Sequence, residues 1–320
     1  MSYYLIENPG YFEIKGEDGI DFLQRQTTND VHKFDRKSAL VTVLTSPKAR
    51  ILDVLTLLPG PTTNQNEGVQ ENCMLILSLP GYGTSTVKFL TDRIFFMDKV
   101  SISEMSGDFI QIELYGDGAD STMIKIGFEA PPDPGEILST ENNGYLIRTV
   151  GRINELQLGY RLLVTLDKKD SFLNLMKESG ALPVNEEQFN ALRIEAGIPR
   201  AGYELSSDYT PLEVGLKNMV SEIKGCYTGQ EVIARQINYD KVTKHLSGLK
   251  LQEGVKINER IWFDGKFVGV ITSAGYSERH GDIALAIVKR PHNQPGTELY
   301  VGQSSEDAVM SQVVELPFTN

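Results

Sequence analysis

The sequence predicts an α+β protein that ends in a small all-β barrel or sandwich. Three observations carry that expectation. Strand-like and helix-like stretches alternate through about residue 241, six short strand-like runs crowd the remainder, and the chain of 320 residues is longer than one compact core usually accommodates. An α/β part over 1–241 and a β part over 242–320 are therefore expected.

Within the first part, 11–16 reads as a strand and 17–26 as a helix, followed by the polar stretch 27–30. Residues 39–46 and 50–58 form a strand pair around a turn at Ser46-Pro47-Lys48. Residues 59–72 lack apolar periodicity and are rich in turn formers, which predicts an exposed hairpin loop before a strand at 73–80. A helix over 83–95, strands at 99–105 and 108–116, a Pro-rich connection at 128–138, and strands at 145–150 and 159–166 follow. The helix at 171–180 ends on a glycine, as helices often do.

Asn185-Glu186-Glu187-Gln188 has the spacing of a capping box and starts a helix with Phe189, Leu192 and Ala196 on one face. Thr210-Pro211-Leu212-Glu213 and Thr228-Gly229-Gln230-Glu231 repeat that spacing, the former with proline at the favoured first helical position. Beyond 242 the runs at 245–251, 260–263, 267–276, 282–289, 298–302 and 313–318 read as strands, with a hairpin turn at Asp264-Gly265.

Composition narrows the function classes. The net charge of −12 repels phosphate backbones and argues against general nucleic-acid binding, while leaving room for a local basic patch facing one anionic ligand. No run approaches the roughly 18 apolar residues that span a bilayer. The opening MSYYLIENPG has no basic region followed by an apolar core, so a soluble cytoplasmic protein is expected. Cys73 and Cys226 are the two cysteines, too few for a disulfide framework or a Cys-only cluster. The four histidines, at 32, 245, 280 and 292, form no helical pair at metal spacing, and no internally ligated metal is expected. No triad, P-loop or dinucleotide fingerprint stands in the required context.

Candidate site residues follow from side chains placed against their surroundings. Glu195 sits beside the apolar stripe of its helix, where a carboxylate must find donors. A flat heterocycle offering an N–H and an adjacent amino group would supply two; Arg193, Arg200 or a backbone N–H would serve equally. Cys226 precedes a helix start and follows Lys224, both of which favour thiolate; a small buried filler is the plainer alternative. Gly225 and Gly229 would let the backbone bend sharply or approach a ligand closely. Cys73 lies within an apolar strand and reads as core. Asp53 is the one charge in Ile51–Leu58, which suggests a pocket, a buried pair or an edge-strand charge that discourages aggregation. Arg235, Lys241, Lys244 and Lys250 form a basic run that could meet an anionic ligand tail or simply face solvent.

KGCYTGQE at 224–231 closely resembles the hallmark of the YgfZ-type folate-binding proteins. LRIEAGIPRAGYEL and TPLEVGL resemble segments of the glycine-cleavage aminomethyltransferases, as do GEDGIDFLQRQTTNDV near the start and GVITSAGYSERHGDIALAIV near the end. The resemblance implies an aminomethyltransferase-like (GcvT-like) folate-binding fold, with interleaved α/β sub-domains over 1–241 and a C-terminal β-barrel domain over 242–320. It implies tetrahydrofolate as cofactor, Glu195 as the residue that holds the pterin, and an essential role for Cys226. Lys224, Tyr227 and Arg235 join the ligand site by proximity to the motif. Iron–sulfur client proteins are the partners that the YgfZ resemblance implies, in assembly, maintenance or repair of their clusters.

The departures bear on mechanism. The transferases carry an Asp-Asp pair where this chain has Asp53-Val54, a Thr-Gly-Glu that GRINELQLGYR lacks, and a Ser-Pro where Ser277-Glu278 stands here. Retained Asp53 keeps a folate-dependent aminomethyltransferase or demethylase as the alternative, with Asp53 steering or assisting proton transfer.

Overall fold

The structure, a computed structural model, describes residues 1–35, 37–60, 73–116, 118–128, 135–139, 145–149 and 159–318. The hairpin loop expected at 59–72 and the Pro-rich connection at 128–138 fall largely outside these residues. Two compact units emerge, one built mainly from 1–150, 156–183 and 218–230, the other mainly from 184–217 and 231–320.

The first unit holds two sheets. Strands β1 (Ser2–Ile6), β2 (Gly10–Lys15), β3 (Leu40–Thr45), β4 (Ile51–Pro59), β5 (Cys73–Ser78) and β6 (Ser101–Glu104) are joined with helices α1 (Gly19–Gln26) and α2 (Gly83–Thr91). Strands β7 (Phe109–Tyr115), β8 (Ile137–Ser139), β9 (Tyr145–Thr149), β10 (Gly159–Thr165) and β11 (Leu182–Pro183) follow, with α3 (Ala119–Lys125) and α4 (Lys169–Glu178). One sheet has the order β3-β4-β5-β2-β6, the other β11-β1-β7-β10-β9-β8.

Their packing makes four layers. One face of the five-stranded sheet places Phe12, Ile14, Leu44, Leu55, Leu57, Met74 and Ile76 against Phe22 and Leu23 of α1 and Leu90 of α2. Its opposite face meets the six-stranded sheet, with Tyr11, Leu58, Leu75 and Leu77 clustered around Leu163 and the rings of Tyr11 and Phe109 4.4 Å apart. The far face of the six-stranded sheet carries Ile110, Ile112, Leu114 and Leu162 onto Met123 and Met176 beneath α3 and α4. Covered on both sides, β5 is buried at every position, which is why its sequence is an unbroken apolar run. Each large aliphatic side chain buried this way contributes roughly 1.5–3 kcal/mol.

The second unit comprises α5 (Glu186–Glu195), nearly all of α6 (Gln230–Asn238), and strands β12 (Lys244–Leu251), β13 (Arg260–Phe263), β14 (Lys266–Ser277), β15 (Gly281–Lys289), β16 (Glu298–Gly302) and β17 (Val309–Val314). The strands close into a barrel in the order β12-β15-β14-β13-β16-β17, and closure leaves no free edge to pair with another chain. Leu249, Ile261, Ile271, Ala284, Ala286, Val288, Leu299, Val301 and Val313 fill it. Asp264 and Gly265 both have positive φ, 47° and 70°, as a tight hairpin turn between β13 and β14 demands. Outside the barrel, α5 seats Ile194 on Ile283, Leu285 and Phe318. The α+β class with a closed C-terminal barrel is therefore as the sequence predicts.

Several local expectations fail. Strands β1 and β8, helix α3 and the short β11 are additional to those predicted, and α2 ends at Thr91 instead of reaching 95. Residues 211–215 form turns instead of a helix: Thr210 N donates to Glu213 Oε2 at 2.8 Å, but the Thr210 hydroxyl makes no return bond. Helix α6 begins at Gln230, one residue later than a cap at Thr228 implies. On α5 the buried positions are Ala191, Arg193, Ile194 and Glu195 instead of a stripe of Phe189, Leu192 and Ala196.

Asn185 does cap α5, with both reciprocal bonds to Gln188 present. Asn185→Ala is expected to lower the unfolding free energy of its unit by about 1 kcal/mol, read by chemical denaturation; an unchanged midpoint would contradict that role.

Candidate functional site

The motif residues divide between the two units. Lys224, Cys226, Tyr227 and Asp53 belong to the two-sheet unit; Glu195 and Arg235 belong to the barrel unit.

In the two-sheet unit, residues 224–229 form a loop anchored at both ends. The Lys224 ammonium donates to the carbonyls of Thr27 and Asn29, at 2.7 Å each, just beyond the C-terminal end of α1. A helix end leaves carbonyls without partners, and a cation satisfies them well. The ammonium also lies 5.0 Å from the centre of the Tyr227 ring. Burial pushes Lys224 down to about 8, against the opposing pull of Asp30, and pushes the Tyr227 phenol up to about 12. At the other end, Thr228 N donates to Arg25 O at 3.3 Å, and the Thr45 hydroxyl donates to Thr228 O at 2.7 Å. Gly229 has φ +86°, and a Cβ there would lie 2.7 Å from Ser46 O and 2.9 Å from Thr45 Oγ1, so only glycine fits.

Between these anchors Cys226 is exposed, which removes the buried-filler reading, while Cys73 is buried as expected. The Cys73 thiol donates to Glu13 Oε1 at 3.0 Å. Among the described residues no group of three His, Cys, Asp or Glu side chains could hold a metal ion, and no helix is long and apolar enough to cross a membrane.

Asp53 stands on β4, between β3 and β5, so the edge-strand explanation for its charge does not hold. It shares a face with Leu55 and Leu57 and points to the helix side, whereas Val54 takes the alternate face with Leu58, toward the second sheet. Its carboxyl is fully buried and accepts from Val54 N at 2.7 Å, Leu79 N at 3.0 Å and the Thr86 hydroxyl at 2.5 Å. Burial outweighs these donors and pushes it up to about 7. In this geometry Asp53 ties β4 to α2 and to the end of β5.

In the barrel unit, Glu195 ends α5 and is 6% exposed. The carbonyl of its main chain accepts from Phe318 N at 2.8 Å, but its carboxylate has no hydrogen bond or ion pair among the described residues. The two arginines that the sequence suggested as partners are engaged elsewhere. Arg193 bonds Asn190, Ile198 O, Ser273 and Glu204, and Arg200 pairs with Glu186. Arg235 lies on α6, largely exposed, and pairs with Glu231 one turn earlier at 2.6 Å. The rest of the basic run is dispersed: Lys241 lies over Tyr239, Lys244 over Tyr209 and 3.7 Å from Glu213, and Lys250 faces solvent. The sequence reading missed the Arg193–Glu204–Ser273 cluster, whose members stand 11 and 69 residues apart with no local pattern joining them.

Residues 244–320 match the glycine cleavage T-protein C-terminal barrel domain. An Arabidopsis thaliana protein described as a putative chloroplastic transferase is 28% identical over 97% of this chain and 69% of its own length. The aminomethyltransferase of Prochlorococcus marinus is 26% identical over 92% of this chain and 81% of its own. The crystal structure of glycine cleavage system aminomethyltransferase T from Bartonella henselae matches with a TM-score of 0.85 over 99% of this chain and 86% of that one, at 18% identity. The chain is GcvT-like in fold, with a closed C-terminal barrel.

Two outcomes test the geometry. Between pH 4 and 7 the unfolded chain gives up the Asp53 proton that the fold retains, so stability falls as pH rises through that window and levels off above it. Asp53→Asn keeps the acceptor for Val54 and Leu79 and a donor for Thr86; it should remove this slope, at most about 1.4 kcal/mol per pH unit, and be the more stable form at pH 8. An unchanged slope in denaturation across pH 4–8 would contradict the assignment. Separately, a thiol reagent should label Cys226 alone in the native protein and reach Cys73 only on unfolding, as mass spectrometry of the labelled peptides would read.

Proposed function

We propose that this GcvT-like protein binds a reduced folate, with Glu195 receiving the pterin. The supporting observation is Glu195 itself: a residue only 6% exposed whose carboxylate has no protein donor among the described residues and is not among the fully enclosed unpartnered atoms, so that it stays open to a ligand. A pterin presents an N–H beside an amino group, the pair of donors that one carboxylate accepts side by side. The relatives named aminomethyltransferase and the T-protein barrel support the same class of ligand, tetrahydrofolate, for this chain.

The finer reading is that of a YgfZ-type cytoplasmic factor that helps assemble, maintain or repair iron–sulfur enzymes, with Cys226 as its reactive group. KGCYTGQE motivates it, and the anchoring of that loop by Lys224, Thr228 and Gly229 around an outward thiol is consistent with a group offered to a client protein. Tyr227 packs with Lys224, and both would serve the loop first and a ligand second. Arg235, on an exposed face, would act only as a distant electrostatic aid. The alternative, a folate-dependent aminomethyl or methyl transferase using Asp53, is less well supported because every Asp53 oxygen is engaged and buried.

Calorimetric titration with 5-formyltetrahydrofolate should give micromolar binding that Glu195→Ala abolishes; equal binding by that variant would overturn the assignment. Cys226→Ser should bind folate normally yet fail to rescue an iron–sulfur enzyme defect in cells lacking the protein. Full rescue would remove the cysteine from the mechanism.

A further inference from the structure

Glu195 must point correctly to be useful, and α5 offers nothing within its own sequence to aim it. At about 100° per residue, Arg193 and Glu195 flank Ile194 on opposite sides of the helix, about 160° apart, so they cannot pair with each other. Ile194 seats on the barrel wall through Ile283, Leu285 and Phe318, an apolar contact that resists separation better than rotation. Rotation is resisted on one flank. Arg193 Nη2 donates to Ser273 Oγ at 2.7 Å, and Nη1 lies 3.5 Å from Glu204 Oε2. The Ser273 hydroxyl donates to Glu204 Oε1 at 2.5 Å, and Glu204 Oε2 also accepts from Arg200 N at 2.9 Å. Asn190, one turn earlier, accepts from Arg193 and donates to Ala274 O at 2.8 Å. Arg193 is 4% exposed, and Glu204 and Ser273 are fully buried.

We propose that the Arg193–Glu204–Ser273 cluster fixes the roll of α5 on the barrel and thereby aims the Glu195 carboxylate. These three are positioning residues for the ligand site, and their function rests on the reading of Glu195 given above. The leverage is simple. Rolling a helix by about 15° moves an atom roughly 6 Å from its axis by about 1.5 Å, enough to break a two-point hydrogen-bond match. Ser273 is the most informative member, because its hydroxyl links the cation to the carboxylate and belongs to β14, not to the helix.

The test is a double-mutant cycle in the full-length protein, titrated with 5-formyltetrahydrofolate. Ser273→Ala should weaken binding by about tenfold, the scale of one charge-assisted hydrogen bond. The same substitution made on Glu195→Gln should change the remaining affinity by less than about twofold, because the aim of an altered group no longer matters. An unchanged affinity in Ser273→Ala, or an equal loss in both backgrounds, overturns the proposal in favour of general packing. If the unaltered protein binds no folate, the reading of Glu195 fails on its own. A crystal structure of Ser273→Ala then decides the roll independently: a Glu195 carboxylate displaced by about 1 Å or more upholds it, and an unmoved one overturns it. Should Ser273→Ala not fold, Arg193→Lys, which keeps the charge but loses the guanidinium fork, is subject to the same outcomes.

Discussion

Taking an ionised carboxylate out of water costs several kcal/mol unless donors replace the lost solvent, and the buried acids of this chain are organised around that constraint. Asp53 has two backbone N–H groups and a hydroxyl. Glu113 has Gln111 and Arg161, Glu204 has Ser273 and Arg200 N, and Glu13 has Lys15 and the Cys73 thiol. Glu213 takes Thr210 N and faces Lys244. Glu195 is the exception among the described residues. The other buried acids are satisfied from within, and this contrast is what motivates the proposed folate site at Glu195.

The cysteine motif shows the complementary logic. Lys224 is consumed by carbonyls beyond the end of α1, Thr228 by Arg25 and Thr45, and Gly229 by the close approach of the turn at Ser46–Ala49. The thiol between them is exposed. The motif thus separates residues that hold from the residue that is held out. Its lysine and glycine have physical reasons to be there whatever the thiol does.

Legibility from sequence followed the same division. The barrel was readable because its strands are bounded by turn signals such as Asp264-Gly265, and α5 because Asn185 and Gln188 form a complete capping box. The Thr210 box misled because half of it forms, with Glu213 bonding back to Thr210 N, without a helix following. The buried face of α5 was misjudged because two of its four buried positions are charged, which no hydropathy pattern can reveal. Asp53 was correctly singled out as an acid on an apolar face, but its direction depended on long-range pairing: with strands on both sides and Thr86 of α2 above, it turns to the helix layer. Glu195 was singled out as an acid beside an apolar stripe and favoured as the pterin residue through resemblance; its lack of a protein partner among the described residues required the fold.

A crystal structure of the protein with 5-formyltetrahydrofolate tests the central claim most directly. The account predicts the pterin's N–H and amino group within about 2.7–3.2 Å of the two Glu195 oxygens, with α5 unrolled and the Arg193–Glu204–Ser273 bonds intact. A ligand seated elsewhere, or a Glu195 carboxylate turned onto a protein donor while folate is bound, would contradict it.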